Sequence, residues 1–84
     1  MTKEQAEEIA LRIQSQGLSY KHGHYHYGYT TLSYNREKSA FELKKEDMSF
    51  NMYNSTISYS YKTKEEFVVY ILEYHKLSDF PAQE

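Results

Sequence analysis

The same helix-start pattern occurs near both ends of the chain, and the pair constrains most of what the polypeptide can become. Thr2 with Gln5 three residues later, and Thr63 with Glu66, have the form of capping boxes, in which two side chains satisfy backbone N–H groups that a helix N-terminus leaves open. Behind the first box, Ala6, Ile9, Ala10 and Ile13 recur on one helical face and Gly17 is placed to stop the helix, which predicts a helix over 3–16. Behind the second, Phe67, Val68, Tyr70, Ile71, Leu72 and Tyr74 give a wide apolar face, which predicts a helix over 64–77 with Pro81 just beyond it. Neither helix has enough apolar surface to stand alone, so the segment between them must give both something to cover.

That segment reads as strands over about 24–34, 39–45, 48–53 and 56–62. The fold class expected is α+β: an N-terminal helix, an antiparallel meander of three to four strands and a C-terminal helix, with both helices on one face of the sheet. All of it falls in one domain spanning 1–84, long enough for one modest core. Apolar residues make up 39% of the chain, which is low, but 17% is aromatic and mostly tyrosine, a side chain that buries a large ring while keeping a polar tip.

Register can be argued from alternation. A loop at Asn54 and Ser55 sets Met52 against Ile57, Phe50 against Tyr59 and Met48 against Tyr61 on one apolar face, leaving Asn51, Ser58 and Ser60 on the other. Phe41 and Leu43 have the opposite parity to Met48 and Phe50, so a turn at Glu46 and Asp47 is expected to keep them on the same face, with a bulge as the alternative. The polar turn Asn35–Lys38 then places Leu32 opposite Phe41 and Thr30 opposite Leu43. This sends Leu32 to the core and Tyr25, Tyr27 and Tyr29 to the open face. A bulge at Gly28 would invert everything upstream, turning those tyrosines inward; alternation leaves both arrangements open and favours the first.

The segment Tyr20–Tyr34, Y-K-H-G-H-Y-H-Y-G-Y-T-T-L-S-Y, holds five of the ten tyrosines and three of the four histidines. In an extended strand His22, His24 and His26 share one side. Imidazoles ligate zinc and related ions, which makes these three the candidate metal ligands. At a strand's rise, neighbouring members of the set stand roughly 7 Å apart and the outer two roughly 13 Å, so one neighbouring pair can share an ion and all three cannot unless the strand kinks at Gly23; a carboxylate or His75 would have to complete the site. Half-exposed imidazoles bonding to neighbours or water are the bland alternative.

No nucleophile-elbow pattern, cysteine or phosphate-cradling loop is present, and Glu42, Glu46 and Asp47 read as solvated strand-edge charge, so no enzyme activity and no cofactor are expected. From Tyr25 to Tyr34 there is no charged residue, and tyrosine gives contact area at low entropic cost. The reading that follows is a protein-binding module with Tyr25, Tyr27, Tyr29 and Tyr34 at the contact. Self-association through the edge of the first strand is a related arrangement, giving a homodimer. Nucleic acid is the alternative partner, with tyrosines stacking bases and Lys21, Lys44, Lys45 and Lys62 meeting phosphates. The order helix, strands, helix resembles that of the double-stranded RNA-binding domain, whose second helix opens with lysines; here Thr63-Lys64-Glu65-Glu66 carries acid instead. A formal charge of −2 also argues against affinity built on many phosphate contacts.

The absence of cysteine suits a reducing cytoplasm, and no apolar run approaches the length of a membrane span, so no membrane partner is expected. The acidic N-terminal stretch is unlike a secretory signal. A small, acidic, cysteine-free chain of this kind is similar in style to the accessory proteins by which phages and mobile elements inhibit host enzymes or defence systems.

Overall fold

The computed structural model describes residues 1–24, 27–48 and 55–81. The expected α+β fold is present: α1 (Lys3–Gln16), strands β1 (Tyr20–His24), β2 (Gly28–Asn35), β3 (Ala40–Met48) and β4 (Ser55–Lys62) in one antiparallel sheet, and α2 (Lys64–Tyr74), followed by a short 3-10 turn, η1 (Leu77–Asp79). The strands lie in chain order, so β1 and β4 are the edges. Both capping boxes form: the Gln5 N–H donates to Thr2 Oγ1 at 3.2 Å and the Glu66 N–H to Thr63 Oγ1 at 3.3 Å, with each acidic or amide side chain returning the bond.

One core joins both helices to β1, β2 and β3, and β4 is added by its pairing with β3. Ala6, Ile9, Ala10 and Ile13 of α1 and Phe67, Val68 and Ile71 of α2 pack over Tyr20, Leu32, Phe41 and Leu43 of the sheet, with Phe80 closing one side. The alanines let the two helices approach closely, and Phe41 stacks on Phe67 with ring centroids 4.5 Å apart. The strands continue past the helices that cover them. Lys45 and Asp47 have the same parity as Leu43 but stay exposed to solvent.

Four expectations of the strand reading are corrected. The strand over 24–34 is a hairpin, with β1 returning on β2 in the register Tyr20↔Leu32, His22↔Thr30 and His24↔Gly28. Gly28, at its foot, has φ 103°, and a side chain there would run into the Glu46 carbonyl oxygen of β3. Between β2 and β3 the register is Leu32↔Leu43 and Tyr34↔Phe41, two residues from that expected; a slip of two preserves parity, so Leu32 still faces the core. The turn at Glu46 and Asp47 does not form. β3 runs straight through it to Met48, because as an inner strand it is hydrogen-bonded on both sides, to β2 as far as Glu46 and to β4 as far as Met48. Pairing with β4 is then Leu43↔Ser60, Lys44↔Tyr59 and Met48↔Ser55, so Ser55 belongs to the strand and the expected pairings of Met48 with Tyr61, Phe50 with Tyr59 and Met52 with Ile57 are replaced. The strand expected over 48–53 otherwise falls outside the described residues.

The C-terminal helix ends at Tyr74, short of Leu77. His75 leaves the helix with φ −129° and ψ 163°, and the chain turns so that Phe80 can enter the core.

Candidate functional site

Two surfaces collect the residues that carry chemistry, one on each side of the sheet. On the helix-free side, the strand pairing aligns Tyr29 with Glu46 and Ile57, Thr31 with Lys44 and Tyr59, and Ser33 with Glu42 and Tyr61. Ile57, Tyr59 and Tyr61 are 49%, 54% and 41% exposed. These three were expected beneath the helices, with Ser58 and Ser60 on the open face; the sides are exchanged, because the continuous β3 carries its odd-numbered residues to the helix side and antiparallel pairing sets even-numbered residues of β4 beside them, where Ser58 and Ser60 stay exposed to solvent.

The charges on this face are largely internally paired. Glu42 accepts from Asn35 Nδ2 at 3.2 Å and lies 3.5 Å from the Ser33 hydroxyl, and Lys44 Nζ is 3.7 Å from Glu46. The ammonium groups of Lys21 and Lys38 lie 4.3 and 4.8 Å from the ring centroids of Tyr29 and Tyr61, within cation–π range. Loss of hydration and the neighbouring Glu42 carboxylate push the Tyr61 phenol above its ordinary range, so its hydroxyl is neutral at physiological pH.

Of the tyrosines singled out in the sequence, Tyr29 lies on this face and Tyr27 is in the β1–β2 turn, 84% exposed. Tyr34 lies on the other side, its ring edge-on to Phe41 at 5.0 Å and packed against the core, so it shares no surface with Tyr29. Tyr25 and His26 fall outside the described residues. The tyrosines of β4 were misplaced because Ser-Thr-Ile-Ser-Tyr-Ser-Tyr shows two distinct faces without saying which is inward.

On the helix side, at the end of the sheet formed by β1, His22 meets residues far along the chain. Its ring centroid is 4.8 Å from that of His75, and Phe80 stands edge-on to both imidazoles at 5.2 and 5.5 Å. His75 Nδ1 is 3.4 Å from Asp79 Oδ2, and the same oxygen accepts from the Lys76 N–H at 3.0 Å. The His75 side chain is 8% exposed. Burial, with His22 beside it, lowers the His75 pKa against the opposing pull of Asp79, while the Lys76 N–H above all holds the Asp79 carboxyl below its usual range. The imidazole is thus favoured as neutral and the carboxyl as ionised. His24 shares the His22 side of β1 but is exposed, its ring 5.9 Å from that of Tyr27. His75 had a place in the sequence reading only as a completing ligand, and Asp79 had none, since nothing local couples either to a residue more than fifty positions earlier.

A cleft of about 640 Å³ lies between α2 and residues of β2, β3 and β4. Lys45, Lys62, Glu66 and Glu73 line it beside Tyr70 and Tyr74. Charges of both signs and a wide mouth make it unlike the apolar enclosures that hold small ligands. Among the described residues, no helix is long and apolar enough to cross a membrane. Comparisons with protein-family models, curated proteins and solved structures find no match to this chain.

Proposed function

We propose that the chain is a non-catalytic protein-binding module of the cytoplasm that applies the helix-free face of its sheet to an apolar patch on a partner protein. The observation that carries this reading is the row Ile57, Tyr59 and Tyr61 presented to solvent on hydrogen-bonded strands, beside the half-buried Tyr29. Aromatic and branched side chains held on a sheet lose little further conformational entropy on contact, and tyrosine offers hydroxyls as well as ring area. Because Glu42, Lys44 and Glu46 already have partners within the face, covering them strands fewer unpaired charges. A module acting only by occupying its partner's surface would suit an inhibitor of a host protein, and its lack of cysteine suits a reducing compartment.

Nucleic acid is the second reading, favoured by Lys21 above Tyr29 and by Lys44 opposite Tyr59, which resemble parts of a stacking platform. Glu42 and Glu46, set among the same tyrosines, oppose it.

Affinity capture with wild type, Ile57→Ser/Tyr59→Ser and Val69→Ser tests the proposal, Val69 being an exposed residue of α2 on the other side of the sheet. The expected outcome is a partner retained by wild type and Val69→Ser and lost by the double variant, with all three equally helical by circular dichroism. Retention by the double variant would refute it. Salt-sensitive retention of single-stranded RNA in place of protein would establish the second reading. The unpaired edge of β1 also offers a second copy a place to pair, and sedimentation of the purified protein as a single monomeric species would remove that arrangement.

A further inference from the structure

We propose that His22, His75 and Asp79 form a site for a divalent transition-metal ion of the zinc class, which fastens the C-terminal turn of the chain to its first strand. The site is independent of whether the opposite sheet face binds a protein. Each residue offers one ligand atom, and these atoms all lie within 4.8 Å of one another. Zinc holds nitrogen and oxygen ligands at about 2.0–2.2 Å in a tetrahedron, which sets any two ligand atoms about 3.3 Å apart. The ligand atoms thus stand at most about 1.5 Å further apart than a bound ion requires, so closing the site asks for a side-chain adjustment of that order.

The second observation is unsatisfied bonding capacity. Nε2 of His22 and Nε2 of His75 are both buried and have no hydrogen-bond partner. An isolated His75–Asp79 pair accounts for His75 Nδ1 but for neither of these nitrogens. Buried polar atoms of this kind normally find a partner, and an imidazole lone pair directed to a metal is one way of meeting that requirement. Two imidazoles and one carboxylate, with no thiolate, suit zinc, cobalt or nickel better than the oxygen-seeking magnesium or calcium.

The surroundings favour a formed site. The Phe80 ring covers both imidazoles and Tyr20 lies beside His22, which limits access of water. The backbone N–H of Lys76 fixes the Asp79 carboxylate from behind, as outer groups commonly do for metal ligands. Three protein ligands leave a fourth position for water. Since His22 belongs to β1, His75 caps α2 and Asp79 ends η1, the three meet only when the C-terminal turn is docked, so binding and docking are linked.

The test uses full-length protein without a histidine tag, stripped with chelator and titrated with zinc chloride at neutral pH by calorimetry and by thermal melting. Expected are one zinc per chain and a melting temperature higher by about 10 °C or more at a hundredfold excess over Kd, reversed by chelator. Cobalt in place of zinc should give the visible absorption of a tetrahedral centre. His75→Gln and Asp79→Asn should each weaken zinc by about tenfold or more, and His24→Gln should not. Absence of stoichiometric binding by wild type overturns the proposal without reference to any variant. So does an unchanged affinity in His75→Gln, or an equal loss in His24→Gln.

Discussion

Replacing Gly28 by alanine separates two terms that the same replacement at Gly17 does not. Gly17 caps α1 with φ 66°, and an added Cβ there meets nothing within 4 Å, so Gly17→Ala carries only the strain of a left-handed residue, about 1–2 kcal/mol. Gly28 has φ 103°, which carries a conformational term of about 1–3 kcal/mol, and its Cβ would lie well inside ordinary contact with the Glu46 carbonyl oxygen. That oxygen is backbone at the last pair of the β2–β3 ladder, where Tyr29 faces Glu46 and β4 pairs with β3 from the other side, so the clash cannot be relieved by turning a side chain. Forced overpacking adds about 1–3 kcal/mol, for a total on the order of 3–4 kcal/mol. Against the 5 kcal/mol or so expected of a small domain, this is most of the stability. In urea, with a slope near 1 kcal/mol per molar, Gly28→Ala should lower the midpoint by about 3 M and Gly17→Ala by about 1 to 2 M. Midpoints within 0.5 M of each other, or the reverse order, would refute the argument that β3 crowds this glycine.

Three further outcomes follow from the packing and the caps. Phe67→Ala removes a fully buried ring stacked on Phe41 and should destabilise by about 3–5 kcal/mol, measured by the same urea titration. Ile57→Ser and Tyr59→Ser remove exposed side chains and should each change stability by about 1 kcal/mol or less, which keeps them usable as binding variants. The Glu66 carboxyl is held below its ordinary pKa, first by the Thr63 backbone N–H and then by the Thr63 side chain. A group depressed on folding contributes stability above its unfolded pKa and loses it as pH falls through the folded one, so its share is complete at neutral pH and disappears on acidification below the usual carboxylate range. Glu66→Gln, which keeps the capping geometry, should flatten that part of the urea midpoint's decline with acid, and an unchanged slope would remove Glu66 as its source.

The helices were legible because their signals are local. A capping box spans four residues and the stripe Ala6, Ile9, Ala10, Ile13 repeats within a few turns, so no distant partner is needed to specify α1, its start or its stop. The last turn expected of α2 was not legible, since leaving the helix at His75 depends on Phe80 reaching a core built by other strands. The polar turn after Asn35 was likewise local, with the Lys38 N–H donating to Asn35 Oδ1 at 3.0 Å.

Sequence alone therefore determined the α+β class, both helix starts, and the inward facing of Leu32, Phe41 and Leu43, because each rests on short-range spacing or on parity that a slip of two residues leaves intact. Tertiary structure decided the rest of the functional surface. Once β3 continues through Glu46 and Asp47 instead of turning, every residue of β4 changes side, and Ile57, Tyr59 and Tyr61 pass from expected core to open face. The meeting of His22 with His75 and Asp79 is of the same kind: it depends on where the ends of distant elements lie in space, and alternation along a strand carries no record of that.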